Sequence, residues 1–349
     1  MQATIVKVKS IKKHPNADRL DIAHVLGWQC VVLKGQFKIG DRAYYISIDT
    51  IIPEEYMVSH EMEYLKKNSR VKTVKLRGVI SQGILMPLDD DINWLGYKIG
   101  DGVDDLFGFI KYEPLQSGDG FGNLQQSKQN PHFIKYTKIE NIKNYPDVLR
   151  DDDYVFVTEK IHGTNFRIGW VLPKQEKIWD KIYRILFKTP RYEFCVGSFN
   201  AQLNPEASNL YTGTARKFKK ILSKTPKYIF FGEIHGAHIQ KNARYGTNIP
   251  QVLFFDIYDT EAMEYLGFDS FTYLCDRLNL DRAPDIYQGH WDMFGNKTPS
   301  GQSYLDQDTI LEGFVIRTRY ESWNENLGRV ILKDISTEYL LQKNNTDFH

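Results

Sequence analysis

The sequence has few cysteines and no long apolar run. Its three cysteines (Cys30, Cys195 and Cys275) are far apart among 349 residues. They lack the spacing of a zinc site or a disulfide framework, which indicates a reducing compartment. No apolar run reaches the roughly 18 residues of a membrane span, and the N-terminus lacks a signal-peptide core. We therefore predict a cytoplasmic protein with no membrane partner.

The chain also lacks an excess of charge of either sign. Its 45 Lys and Arg residues balance 44 Asp and Glu residues, which gives a formal net charge of +1. Any nucleic-acid surface must then be a local patch, because the overall charge supplies no attractive field. The length indicates about two domains, and 42% hydrophobic with 26% charged residues is usual for a globular protein.

The first predicted domain, residues 1–112, consists of short strands and turns. Apolar or alternating stretches occupy 3–9, 31–33, 43–46 and 71–76, with glycines between them. This pattern predicts a small β-barrel. The stretch from His14 to Leu20 (HPNADRL) resembles the opening of OB-fold domains of the tRNA-binding type.

A basic cluster in this domain has two open interpretations. It comprises Lys66, Lys67, Arg70, Lys72, Lys75 and Arg77. These residues could form a surface that contacts phosphates. They could equally belong to a solvated edge strand, where lysines discourage aggregation.

Residues 113–131 are rich in Gly, Gln, Ser and Asn, which predicts a mobile linker. The second predicted domain is 132–349. Near its start, Thr137 and Glu140 have the spacing of a capping box, which predicts the start of a helix.

A lysine lies where one predicted strand of this domain meets a turn. The apolar residues 155–157 lead to Lys160, Gly163 and Asn165 form the turn, and alternation resumes from Phe166. A glycine at such a turn allows backbone to approach a ligand closely. An isolated lysine is usually a solvated surface residue, so the assignment depends on its context.

Four later apolar segments each carry a charged residue. They contain Glu233, Asp256, Glu312 and Lys333. One such charge could simply lie at a strand end in water, but buried charges are costly unless they are paired or bound. The predicted pocket contains two lysines (Lys160 and Lys333), two carboxylates (Glu233 and Glu312) and an aromatic ring, a set that suits a nucleotide and a divalent metal.

The stretch from Lys160 to Asn165 (KIHGTN) resembles the nucleotidyl-lysine motif of the covalent nucleotidyltransferases, and HGTN looks like its RNA ligase 2 branch. The resemblance covers about residues 133–340, and the preceding OB-like domain is similar to the Naegleria-type subgroup. It implies an α+β fold, with an N-terminal OB-like β-barrel followed by a nucleotidyltransferase domain of antiparallel sheets flanked by helices.

The resemblance also implies roles for individual residues. Lys160 would be the catalytic nucleophile, and Glu312 and Glu233 would support the metal. The family often has an arginine near Ser198 and usually ends in Lys-x-Lys, whereas Ile331 and Ile335 flank the single lysine here. The implied nucleotide contacts are Glu159 with the adenine edge, Asn165 with phosphate or ribose, Glu233 with ribose, Phe255 with the base and Lys333 with phosphate.

The implied activity is ATP-dependent RNA ligation with Mg²⁺ or Mn²⁺. It would join RNA 3′-hydroxyl and 5′-phosphate ends through lysyl-AMP and an RNA-adenylate, with no obligate protein partner apparent. Another polynucleotide ligase or a capping-type enzyme is an alternative, although those enzymes place their OB domain last. A further alternative is a non-catalytic OB protein that binds tRNA or other RNA. The presence of Lys160, Glu233 and Glu312 argues against it. The Arg329→Ala change, near the start of the last strand, is expected to have only a mild effect on adenylylation.

Overall fold

The computed structural model divides the chain into two compact units. The first contains residues 1–116, 140–148 and 334–349, and the second contains 117–139 and 149–333. The structure describes residues 1–62, 65, 69–112, 124–175, 178–188, 190–236, 239, 245–295, 297–342 and 345. Most of the predicted linker, 113–123, lies outside these residues, and the predicted domain limits stay predictions.

The first unit is built from short strands and three short helices. Its elements are β1 (Ala3–Lys13), β2 (Leu20–Val25), β3 (Trp28–Leu33), β4 (Arg42–Ile46), β5 (Thr50–Ile51), α1 (Glu54–Ser59), β6 (Thr73–Leu76), β7 (Val79–Gln82), β8 (Ile84–Pro87), α2 (Asp104–Phe107), β9 (Ile110–Lys111), β10 (Glu140–Asn141) and, at the end of the chain, α6 (Thr337–Leu340).

A curled antiparallel sheet organises this unit, with the strand order β3-β2-β1-β4-β8. The long strand β1 pairs with β4 through its first half and with β2 through its second half, and a bulge lies between Val8 and Ser10. Bulges bend a strand and increase its twist. The Val31 N–H also donates to the Ser81 hydroxyl at 3.0 Å, which brings β3 towards β7. The sheet therefore curls back on itself, as the barrel prediction requires.

Arg70 of the basic cluster has a structural role. It is buried, its Nε donates to Asp49 at 2.7 Å, and its Nη2 donates to the Asn345 carbonyl at 2.7 Å. Lys66 and Lys67 lie outside the described residues. A phosphate contact by the remaining members stays a prediction.

The second unit contains most of the longer elements. They are β11 (Tyr154–Lys160), β12 (Thr164–Val171), α3 (Ile178–Phe187), β13 (Glu193–Ser198), β14 (Gln202–Leu203), α4 (Leu210–Leu222), β15 (Tyr228–His235), β16 (Gln251–Asp259), β17 (Glu264–Tyr265), α5 (Phe268–Leu278), β18 (Asp285–His290), β19 (Gly313–Thr318), β20 (Trp323–Asn324), β21 (Gly328–Arg329) and β22 (Ile331–Ile335). Within the described ranges, no helix is long and apolar enough to cross a membrane.

Two larger sheets and the two-stranded sheet β20-β21 form the described part of the second unit. One has six strands in the order β14-β13-β12-β15-β16-β17, and the other contains β22-β19-β11-β18. Phe166 and Ile168 of β12 pack in a core with residues of α4 and α5, while Phe231 of β15 packs in a core with Ile331 of β22. Side chains on a strand alternate between its two faces, so the central sheet buries one face against helices and the other against the second sheet. The predicted antiparallel sheets with flanking helices are confirmed.

The predicted helix start at Thr137 is wrong, since residues 134–139 form no helix and the short strand β10 follows. Buried Arg167 instead binds this region through the carbonyl oxygens of Phe133 and Ile134, at 2.8 and 2.5 Å, and its Nε donates to the Ser198 carbonyl at 3.0 Å. Burial lowers the pKa of Arg167 to about 10. A tertiary contact therefore outweighs the local capping pattern.

A buried carboxylate, Asp256, joins several elements of this unit. Its Oδ2 accepts from Tyr136 at 2.8 Å and pairs with Arg317 at 2.9 Å and Arg329 at 2.7 Å. Arg329 also donates twice to Glu321, at 2.6 and 2.7 Å. Burial alone would raise the pKa of Asp256, but the two guanidinium groups outweigh it and lower that pKa.

The expected mild effect of Arg329→Ala on adenylylation stays a prediction, but the structure gives Arg329 a role in stability. The residue is 4% exposed and binds two carboxylates. The sequence does not mark this pairing, because Asp256 lies 73 residues away and Glu321, eight residues away, is placed beside Arg329 only by the fold.

Arg329→Ala should lower the free energy of unfolding by about 3–5 kcal/mol, the usual cost of removing one partner of a buried ion pair. Arg319→Ala is the matched control, since Arg319 is an exposed arginine paired with exposed Asp269, and it should change stability by less than about 1 kcal/mol. Urea unfolding of both variants checks the comparison. Equal midpoints would contradict the role given to Arg329.

Candidate active site

Lys160 forms a buried ion pair at the end of β11. This strand pairs with β19 so that Lys160 lies opposite Gly313, and Glu312 immediately precedes that glycine. The Nζ of Lys160 is 2.7 Å from Oε1 of Glu312, and the two side chains are 10% and 2% exposed. Removing two charges from water is favourable only when their remaining polar groups are also bound.

His162 lies beside the second oxygen of Glu312. Its Nδ1 is 3.3 Å from Oε2, and its backbone N–H donates to the Tyr245 hydroxyl at 2.7 Å. Burial would raise the pKa of Glu312, but Lys160 and His162 outweigh it and lower that pKa to about 2. Glu312 is thus ionised throughout the physiological pH range.

The turn between β11 and β12 requires a glycine. The backbone N–H of Gly163 hydrogen bonds to the carboxylate of Glu233. A Cβ at position 163 would clash with the Ile234 carbonyl oxygen and lie 2.8 Å from Cγ of Glu233. The backbone therefore approaches β15 more closely than any larger residue allows.

Glu233 is the second acid of the site. Burial, together with the charge of Glu312, raises the pKa of Glu233 to about 8, although Lys160 and the Gly163 N–H act in the opposite direction. The ammonium group of Lys160 thus keeps Glu312 ionised, but it does not keep Glu233 ionised. A further cation at this position would let both carboxylates ionise.

Asn165 lies next to Glu233 on the same face of the central sheet. The two residues are directly opposite in the pairing of β12 with β15. The Oδ1 atom of Asn165 is buried and has no hydrogen-bond partner within the described residues. Since buried polar atoms are nearly always bound, this amide oxygen is suited to a ligand.

Phe255 lies between the lysine turn and the last strand. It packs against the cluster that contains Ile161 and against the cluster that contains Ile331. Lys333 is buried two residues after Ile331 and shares its face of β22. Phe255 and Lys333 therefore lie on the faces of their strands that are directed towards the turn after Lys160.

Glu159 points to the other face of β11, because side chains on a strand alternate. One carboxylate oxygen accepts from the Ser303 hydroxyl at 2.5 Å, and the other accepts from the Tyr304 N–H at 2.9 Å. Burial raises the pKa of Glu159, and these hydrogen bonds oppose the shift. The structure brings Lys160, Glu312, Glu233 and Asn165 together but binds the Glu159 side chain to a separate loop.

The donor set fits one divalent metal that also binds substrate. Within the described residues, no group of three or more His, Cys, Asp or Glu is placed to hold a metal ion. Magnesium commonly uses one or two carboxylates together with substrate phosphates, and Glu312 with Glu233 supplies two. Sequence reasoning missed Tyr245, Ser303 and Arg167, since only tertiary contacts reveal their roles.

Glu233→Gln should become more stable relative to wild type as pH rises. Folding raises the pKa of Glu233 from its ordinary 4.5 to about 8, so the folded state keeps a proton that the unfolded chain has lost. Wild type therefore loses stability as the pH rises from 4.5 to about 8, by about 1 kcal/mol for each pH unit. Thermal melts at several pH values check this, with the exposed Glu264→Gln as control. A stability difference that does not change with pH would contradict it.

Solved structures of Naegleria gruberi RNA ligase are similar over nearly the whole chain. A variant with ATP and Mn has 26% identity and a TM-score of 0.78, covering 97% of this chain and 98% of that chain. A variant with AMP and Mn has 25% identity and a TM-score of 0.79 over the same shares. The ligase with PPi has 26% identity and a TM-score of 0.77, covering 97% of each chain. Among curated proteins, none matches this chain.

Two family models match the sequence. Residues 2–88 match an OB-fold domain, which confirms the prediction for the N-terminal domain. Residues 153–335, more than half of the chain, match the RNA ligase family, and these residues include Lys160 and its carboxylate neighbours. The chain therefore belongs to the RNA ligase family.

Proposed function

We propose that this protein joins RNA 3′-hydroxyl and 5′-phosphate ends with ATP, through AMP bound covalently to Lys160. The observation that carries the proposal is the buried contact of Lys160 with Glu312, beside Glu233 and Asn165. The Naegleria ligase structures with ATP, AMP, PPi and Mn support the choice of nucleotide and metal.

In the first step, the neutral Nζ of Lys160 attacks the α-phosphorus of ATP. A phosphorus–nitrogen bond forms, pyrophosphate leaves, and the proton from the amine passes to solvent. A free lysine has a pKa of about 10.4 and is protonated at neutral pH, and the contact with Glu312 favours the ammonium form further. Lys160 must therefore separate from Glu312 and lose a proton before it reacts.

Glu312 and Glu233 are the residues that would hold Mg²⁺ or Mn²⁺. Such a cation supplies positive charge that favours a neutral lysine and offsets charge on the transferred phosphoryl group. His162 keeps the Glu312 carboxylate oriented through its second oxygen. The orientation of Glu312 then stays fixed by His162 when Lys160 moves towards the nucleotide.

The remaining site residues bind the nucleotide. Phe255 stacks on the base, Asn165 contacts ribose or phosphate, Glu233 reaches the ribose, and Lys333 balances phosphate charge. Glu159, which was expected to contact the adenine edge, holds residues 303–305 through its hydrogen bonds.

AMP then passes from Lys160 to the RNA 5′-phosphate. The phosphorus–nitrogen bond breaks, and a pyrophosphate linkage forms in the RNA-adenylate. Attack by the 3′-hydroxyl on the activated 5′-phosphorus then forms the phosphodiester and releases AMP. The leaving group is the Lys160 amine in the first of these steps and AMP in the second, and neither step requires redox chemistry.

The cysteines agree with a cytoplasmic location. Cys30, Cys195 and Cys275 are buried free thiols, and burial raises the pKa of Cys195 and of Cys275 to about 12. These properties suit packing in a reducing environment.

Lys160→Ala should abolish sealing of a 5′-phosphorylated RNA with ATP and Mn²⁺, because the nucleophile is removed. Lys220→Ala, at an exposed position of α4, should seal like wild type. Denaturing gel electrophoresis of labelled RNA separates substrate, adenylated RNA and product. Sealing by the Lys160→Ala protein at the wild-type rate would overturn the proposal.

Lys333→Met should reduce covalent labelling with ATP by about 10²-fold, because it removes a charge that stabilises the transition state. Methionine keeps an unbranched apolar stem, so the variant should still fold and unfold cooperatively. Labelling of the purified variant and a thermal melt measure the two effects. Wild-type labelling would exclude Lys333 from the nucleotide site.

A further inference from the structure

Helix α3 exposes seven large apolar side chains. Among its ten residues, the described structure buries only Asp180, which pairs with Arg191 at 3.6 Å. The exposed fractions are Ile178 71%, Trp179 70%, Ile182 38%, Tyr183 38%, Ile185 76%, Leu186 70% and Phe187 60%. A helix packed on a protein core would bury these residues.

The apolar side chains cover an unusually wide arc of the helix. At 3.6 residues per turn they occupy about 200° of its circumference. A helix packed against a protein core typically carries a stripe of about 100°. One neighbouring helix or groove would therefore leave about half of this surface in water.

The polar side of the same helix is basic. Lys181 and Arg184 lie on it, Lys188 continues it directly after the last turn, and the single acid, Asp180, lies beside Arg184 on the same side. Trp, Phe and Leu on one face with Lys and Arg on the other are typical of helices that lie in a membrane interface. Basic side chains at the edge of such a helix contact anionic headgroups.

We propose that α3 lies in the plane of a membrane surface that carries anionic lipids. Acyl chains can contact the full apolar arc, and the basic residues beside it complement the headgroup charge. The expectation of no membrane partner rested on the lack of a spanning segment, which an in-plane helix does not need. None of the α3 residues belongs to the ligase site, so the proposal does not depend on the ligase chemistry.

Vesicle flotation of the full-length protein tests the proposal. Wild type should float with phosphatidylcholine vesicles that contain about one-third phosphatidylglycerol, less with phosphatidylcholine alone, and less as salt rises. Ile185→Glu with Leu186→Glu should reduce the vesicle-bound fraction about tenfold or more. Ile39→Glu with Leu95→Glu is the matched control, because these residues are 68% and 94% exposed elsewhere, and it should bind like wild type.

A charge-reversal variant gives an independent test. Lys181→Glu with Arg184→Glu keeps the apolar arc and should lose binding to the anionic vesicles. Thermal melts should be unchanged for every variant, since the substituted residues are exposed. Wild type that stays unbound, or α3 variants that bind like the control, would overturn the proposal. A wild-type dimer that the Ile185→Glu and Leu186→Glu pair dissociates, without vesicle binding, would assign α3 to a second copy of the chain instead.

Discussion

The buried ion pair between Lys160 and Glu312 is the interaction on which the rest of the site depends. It determines which acid is ionised, because the ammonium group lowers the pKa of Glu312 to about 2 while the pKa of Glu233 rises to about 8. It also explains the position of His162, whose ring lies beside the carboxylate oxygen that Lys160 does not bind. The site thus holds two acids and one close ammonium group, an arrangement that favours a second cation and a phosphate-bearing substrate.

Strand pairing creates this contact. The register of β11 with β19 places Lys160 beside Glu312, and the close approach of Gly163 to β15 brings Glu233 to the same point. The buried cluster around Asp256 connects β16, β19 and β21, so it holds the strands that carry the site. Buried charges therefore serve two purposes in this unit. Those of the Asp256 cluster pair with one another and stabilise the fold, and those around Lys160 lie beside an acceptor that can bind a ligand.

The sequence predicted the strands and the grouping of Lys160 with Glu312, because charged residues in otherwise apolar strands are conspicuous. It did not predict what depends on pairing between distant segments. The structural role of Arg329 was missed, since its two carboxylate partners can be identified only in the folded chain. Thr137 looked like a helix cap, but Arg167 binds the backbone carbonyls just before it. Helix α3 was missed because a search for spanning segments does not detect a short amphipathic helix.

The central claim is that Lys160 carries AMP covalently. Incubation of the full-length protein with ATP and Mn²⁺, followed by proteolysis and mass spectrometry of the peptides, tests it most directly. The account predicts that the mass of one AMP is added to the peptide containing residues 154–166, and that fragmentation locates it on Nζ of Lys160. AMP attached to another residue, or an unmodified protein that nevertheless seals RNA with ATP, would contradict it.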